Sequence, residues 1–133
     1  MSGLLDTSMV VRYLMADVPE LAEKASRIID GEIDLEVTDV VLAETAYVLT
    51  SVYRVPRQEV VDHLIAFLQK KNINPLGIDK GFALQALLFC RPSGRVSFSN
   101  AMVWAAARSS GSGIIYSLDE RFPKDGVEIR QEA

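Results

Sequence analysis

The chain is poor in the residues that build redox and zinc chemistry. Of its 133 residues one is a cysteine, Cys90, and one a histidine, His63. A lone cysteine excludes an intrachain disulfide and any zinc site made of cysteines, and it fits a reducing, cytoplasmic setting. A single histidine excludes a catalytic histidine pair. His63 stands between Asp62 and Leu64 on a helical stretch with no nucleophile motif beside it, which is the pattern of a surface or interface residue. No apolar run approaches the roughly 18 residues that cross a bilayer. The start, Met1-Ser2-Gly3-Leu4-Leu5-Asp6, lacks the basic region of a signal peptide. Positive charge is also short: 14 Lys and Arg stand against 18 Asp and Glu, a net charge of −4. That balance argues against bulk electrostatic adhesion to nucleic acid or membrane. It does not exclude a nuclease, because carboxylates that hold divalent cations mask a neutral or basic rim. A dinucleotide phosphate loop is absent, since Gly111-Ser112-Gly113 precedes a strand and not a helix.

What is present is a globular chain, 49% hydrophobic and 24% charged. Its length predicts one domain spanning 1–133. Leu4-Leu5 reads as a short buried strand that ends in the polar turn Asp6-Thr7-Ser8. Leu21, Ala25, Ile28 and Ile29 recur at helical spacing, with Gly31 as a stop. Glu32 to Val37 alternates with period two, as a strand does. Asp39 suits the cap of a helix through Val41, Ala46, Leu49 and Val52. Pro56 suits the first turn of another, with Val60, Val61, Leu64, Ile65 and Leu68 facing inward and Lys70 and Lys71 complementing its dipole. Ile73-Asn74-Pro75-Leu76 is extended, Asp79 caps a helix from Phe82 to Cys90, and Ser97 caps one that ends near Gly111. Cys90 and Trp104 read as core residues. The continuous apolar run Gly113 to Leu118 predicts a buried strand, and Val127-Glu128-Ile129 an edge strand. Strands alternating with helices predict a three-layer α/β/α sandwich around a mainly parallel sheet.

In such sheets ligands bind beyond the carboxyl ends of the strands. Asp6 and Asp119 stand there, and two such aspartates can converge on a hard cation; each also suits a simple turn. Glu44 shares a helical stripe with Val40, Val41, Tyr47 and Val48, which predicts a partly desolvated carboxylate in need of compensation. Asn100 falls in the first turn of the helix that follows Ser97, a place where Asn also serves helix starts. Arg91, Arg95, Arg108, Arg121 and Lys124 flank these segments and offer a basic rim for RNA.

Leu4-Leu5-Asp6-Thr7-Ser8, Thr38-Asp39-Val40-Val41-Leu42-Ala43-Glu44, Ser97-Phe98-Ser99-Asn100-Ala101 and Ser117-Leu118-Asp119-Glu120-Arg121-Phe122, in this order and spacing, resemble the PIN-domain family. Within it the chain is similar to VapC-type toxins of toxin–antitoxin pairs. The resemblance implies a PIN-like fold and a metal-dependent endoribonuclease that uses Mg²⁺ or Mn²⁺. Its metal would be held at positions matching Asp6, Glu44, Asn100 and Asp119, with Thr7 or Ser8 and Ser117 beside it. It further implies a homodimer and a cognate antitoxin. At one position the chain departs from the family, which carries an aspartate where this sequence has Asn100. The amide keeps a carbonyl oxygen and loses the charge, which weakens metal binding without abolishing it. The alternative is a PIN-like binding module that acts through RNA, antitoxin or self-association without turnover. A receiver-like signalling domain would need paired acids near the N-terminus and a lysine late in the sheet, and neither is evident.

Overall fold

The computed structural model describes residues 2–133. The elements run β1 (Gly3–Leu4), α1 (Thr7–Met15), α2 (Pro19–Ile29), β2 (Leu35–Val37), α3 (Asp39–Ser51) and α4 (Arg57–Leu68). They continue with β3 (Ile73–Pro75), α5 (Lys80–Phe89), α6 (Phe98–Ser110), β4 (Ile114–Tyr116) and β5 (Glu128–Arg130). Strands β1, β2 and β3 form one sheet in that order, and β4 pairs with β5 in a second. Every pairing is parallel, as the alternation of strands and helices predicts, and helices cover the strands in a three-layer α/β/α arrangement. Among the described residues no helix is long and apolar enough to cross a membrane.

The strands are shorter than the apolar runs suggest. The strand expected over 32–37 forms only at Leu35–Val37, and the run 113–118 pairs only at Ile114–Tyr116. Within that run Ile115 alone is buried, and Leu118 is 84% exposed. Leu4 is likewise 63% exposed, and Leu5, just past β1, is the buried one. Asp6 and Asp119 therefore follow their strands at a short distance and not directly. A helix that the sequence reading did not anticipate starts at Thr7. Its hydrophobic residues were assigned to no element, and the Asp6-Thr7-Ser8 segment that looked like a turn is its capped start.

Helix ends follow local chemistry. Thr38, and not Asp39, caps α3 by accepting the Val41 N–H at 3.2 Å; Asp39 is the first helical residue. Asp79 caps α5 and Ser97 caps α6, and Gly111 closes α6 in the left-handed region (φ 75°) where a side chain is unfavourable. In α2 only Ala25 and Ile29 of the expected face are buried, while Leu21 and Ile28 stay exposed. Lys70 follows the α4 C-cap, Gln69. It pairs with Asp30 at 2.8 Å and ties the end of α2 to the approach of β3. Beside it the Asn72 amide donates to the carbonyls of Ile29, Gly31 and Ile33, satisfying the loop that leads into β2.

The core lies between α3, α4, α5, α6 and the first sheet. Trp104 is fully buried, edge-on to Phe89 at 4.8 Å, and its indole N–H donates to the Asp125 carbonyl at 2.9 Å. Cys90 is a buried core residue whose thiol is pushed up to about 11 by burial. His63 is exposed. The segment that delivers Asn100 is held by Arg57. Its guanidinium donates to the carbonyls of Cys90 (2.5 Å) and Val96 (2.6 Å) and lies 4.4 Å over the Phe98 ring. Charge-assisted bonds to two otherwise unmet carbonyls are worth more than ordinary ones. Arg57→Ala is expected to lower unfolding stability by about 2 kcal/mol in a urea titration, with Arg57→Lys restoring less than half, because an ammonium cannot span both carbonyls or stack on Phe98.

Candidate functional site

Asp6 is the N-cap of α1, with its backbone extended and its Oδ1 accepting the Met9 N–H at 3.0 Å and the Ser8 hydroxyl at 2.8 Å. Those two donors, the Met9 amide foremost, hold its carboxyl below the usual carboxylate range. The capping chemistry that makes Asp6 look like a turn residue also fixes its direction, and its Oδ2 carries no hydrogen bond among the described residues. Thr7 opens α1 and donates its hydroxyl to Glu44 Oε1 on α3. That bond ties α1 to α3 beside a cavity of about 600 Å³ lined by Asp6, Thr7, Ser8, Arg12, Glu44 and Tyr53 above valine side chains.

Glu44 is not desolvated as its stripe suggests; it is exposed. Two residues of that stripe face outward, Val40 at 68% and Tyr47 at 65% exposed, while Val41 and Val48 are half-buried. The buried face of α3 is Leu42, Thr45, Ala46 and Leu49. Compensation for Glu44 is accordingly a surface matter of one threonine hydroxyl and water. Glu44 also borders a second groove, about 440 Å³, between α3 and α6, whose walls include Tyr47, Ser99, Met102 and Val103.

Asn100 is the third residue of α6, and its backbone N–H is taken by the Ser97 cap at 3.0 Å. Its side-chain amide donates to Asp119 Oδ2 at 3.0 Å. Asp119 is otherwise claimed by Arg121, whose Nε and backbone N–H reach Oδ1 at 2.9 Å each and whose Nη2 reaches Oδ2 at 3.1 Å. Ser117, expected as a hydroxyl near the last acid, accepts the Asp119 N–H at 2.9 Å and fixes the turn. Four donors thus meet the four lone-pair directions of one carboxylate, and Arg121 above all holds Asp119 far below the usual range.

The four sequence-derived positions form two pairs, Asp6 with Glu44 and Asn100 with Asp119. Among the described residues no three Asp, Glu, His or Cys side chains gather as a ligand set for one ion. The first pair suits a hard divalent cation. Mg²⁺ is commonly held by only one or two carboxylates, with water and substrate phosphate completing its shell. Asp6 and Glu44 line one groove and each retains an unengaged oxygen. The second pair does not suit a cation as arranged, because Asp119 is saturated. Arg121 supplies three of the four donors and Asn100 the fourth: an aspartate at that place would add an anion, whereas the amide adds a donor.

The expected basic rim is mostly spent within the chain. Arg91 pairs in a bidentate manner with Asp62, Arg108 lies over Phe82 and Trp104 and donates to the Asp125 carbonyl, and Arg121 serves Asp119. Arg121 is the site residue whose role the sequence concealed, since it counted only as rim charge. Its spacing of two from Asp119 across a turn was the available signal.

Replacing Arg121 with alanine is expected to raise the Asp119 pKa toward 3.8, followed by the carboxyl ¹³C shift during a pH titration. In the unaltered protein the stability that ionised Asp119 contributes is present above pH 3.8 and is lost as pH falls toward its depressed folded value. In the Arg121→Ala form that contribution is smaller and its loss is complete at a higher pH.

No curated protein matches the chain at a significant level. A model of the PIN domain matches residues 3–126, and PIN domains are generally metal-dependent nucleases. With all but the first two and last seven residues inside that match, the chain belongs to the PIN-domain family.

Proposed function

We propose that the protein is an endoribonuclease of the toxin type, cutting RNA phosphodiesters with one Mg²⁺ or Mn²⁺ at the Asp6–Glu44 pair. The observation that carries this reading is the Thr7 bond to Glu44, which sets two carboxylates from different helices on one open groove. When bound there, the cation would lower the pKa of a water and offset the charge that develops on the phosphate under in-line attack. The chain's own groups supply position. The Met9 amide and Ser8 hydroxyl aim Asp6, Thr7 aims Glu44, and the Asn100 amide donates to Asp119. Asn100 in the place of an acid leaves this protein a weak member, because the second pair needs no cation. The exposed apolar residues Val40, Tyr47 and Val103 beside Glu44 support a protein partner, either a cognate antitoxin or a second copy in a homodimer. A cytoplasmic toxin–antitoxin role rests on the sequence resemblance together with the reduced, buried Cys90.

The saturation of Asp119 by Arg121 and Asn100 favours a second reading, a PIN-like module that binds RNA or antitoxin without cutting. Cleavage of structured RNA in millimolar Mn²⁺ separates the two. On the first reading the protein cuts slowly, Asn100→Asp cuts about 10–100-fold faster, and Glu44→Gln does not cut although its stability changes by less than about 0.5 kcal/mol. On the second, neither the protein nor Asn100→Asp cuts any RNA. The same samples provide a readout independent of turnover. Mn²⁺ is expected to raise the Tm of Asn100→Asp more than that of the unaltered protein, since only the variant presents two adjacent anions to be neutralised.

A further inference from the structure

Two cations near Asp119 are not spent on the fold. Among the described residues neither Arg95 nor Lys124 has a carboxylate partner, in contrast to Arg91 and Arg121. They come from different segments, Arg95 from the loop between α5 and α6 and Lys124 from the loop between β4 and β5. Both line one cavity of about 380 Å³, together with Ser117, Asp119, Glu120 and Gln131. Holding two like charges at one cavity costs free energy unless an anion is taken up. The carboxylates in the wall offset only one of the two. Asp119 is already neutralised by Arg121, which leaves Glu120 as the one acid lining the cavity without an ion-pair partner among the described residues.

We propose that this cavity is a phosphate subsite for a single RNA strand, holding a phosphodiester next to the one presented to the candidate site. The inference rests on the nuclease reading and deepens it, since Asp119, one of the four candidate site residues, lines the cavity. The donor set matches an RNA phosphate. Arg95 offers a planar fork to two unesterified oxygens and Lys124 a compact charge. The Ser117 hydroxyl, whose oxygen accepts the Asp119 N–H, keeps its own hydrogen to donate, and the Gln131 amide adds a neutral donor. Such contacts give affinity and register without reading bases. The subsite therefore sets where the strand lies and not which sequence is chosen. It also explains how an acidic protein engages a polyanion: two cations without a carboxylate partner among the described residues meet at one place.

The test separates binding from cutting. A fluorescein-labelled octauridylate is titrated in EDTA at several salt concentrations and followed by anisotropy. The samples are the unaltered protein, Arg95→Gln/Lys124→Gln, the charge-keeping Arg95→Lys/Lys124→Arg, and Arg27→Gln on α2 as a control. Arg95 and Lys124 are exposed, so all variants are expected to keep the Tm. The double glutamine form should bind about tenfold more weakly at low salt, with a log–log salt slope shallower by about 1.4, the counterion release of two single-strand phosphates. The charge-keeping form and the control should bind like the unaltered protein. If the double glutamine form binds RNA with unchanged affinity and slope, the subsite is overturned while the nuclease reading stands. If the unaltered protein binds no RNA and Asn100→Asp cuts none, both fall. If an octaglutamate peptide, and not RNA, loses affinity in the double glutamine form, the cavity belongs to an acidic protein partner and the RNA subsite is overturned.

Discussion

Because β2 is bonded in parallel to β1 on one side and to β3 on the other, none of these three strands can be joined to its neighbour by a tight turn. Leu5 N–H reaches the Glu36 carbonyl, Leu35 N–H the Asn72 carbonyl, and Leu76 N–H the Val37 carbonyl, so the central strand has both edges satisfied. Each connection must then be helical and return to the same end of the sheet. This requirement sets α1 and α2 between β1 and β2, and α3 and α4 between β2 and β3. It also explains why Asp6 and Thr38, the caps of α1 and α3, leave the sheet at the same end. Capping and site-building are one event here: the residue that satisfies a helix start also stands where ligands bind in parallel sheets.

Charge balance decides what that end of the sheet can do. Asp6 and Glu44 are compensated by neutral donors, namely amide and hydroxyl groups, and so remain anions open to a cation. Asp119 is compensated by a guanidinium and an amide and is full. Asn100 is the hinge between the two conditions. An aspartate at that place repels Asp119 unless a cation intervenes, whereas asparagine turns the repulsion into a hydrogen bond of 3.0 Å. One nitrogen in place of one oxygen thus removes a negative charge beside Asp119, whose own charge Arg121 already meets.

Much of this was legible in the residues themselves. Asp79, Ser97 and Gly111 end their helices as their side chains or lack of one dictate, and Trp104 and Cys90 are core as their apolar neighbours indicate. The misses share a cause. Hydrophobic runs predict burial, but Leu118, Leu4, Val40 and Tyr47 are apolar and exposed, because a small domain lacks the interior to hide every apolar side chain. Glu44 was misjudged for the same reason: its stripe is apolar, yet it faces outward. Helix α1 was overlooked because Asp6-Thr7-Ser8 has the chemistry of a turn and of a helix start alike, and only the residues beyond separate them.

By itself the sequence determined most of the elements, α1 excepted, and that Asp6 and Asp119 fall just beyond strands, Asn100 in the first turn of a helix and Glu44 in the second turn of another. Those properties depend on neighbours within about one helical turn, so they are written locally. The tertiary structure alone decided which of those side chains face each other and which cations remain unspent. Glu44 meets Thr7 across 37 positions of chain and Asn100 meets Asp119 across 19, while Arg91 is drawn to Asp62 and Arg95 is left unpaired. Electrostatic pairing depends on distance in space and on competition among all charges within reach. That competition is settled only when the helices have packed.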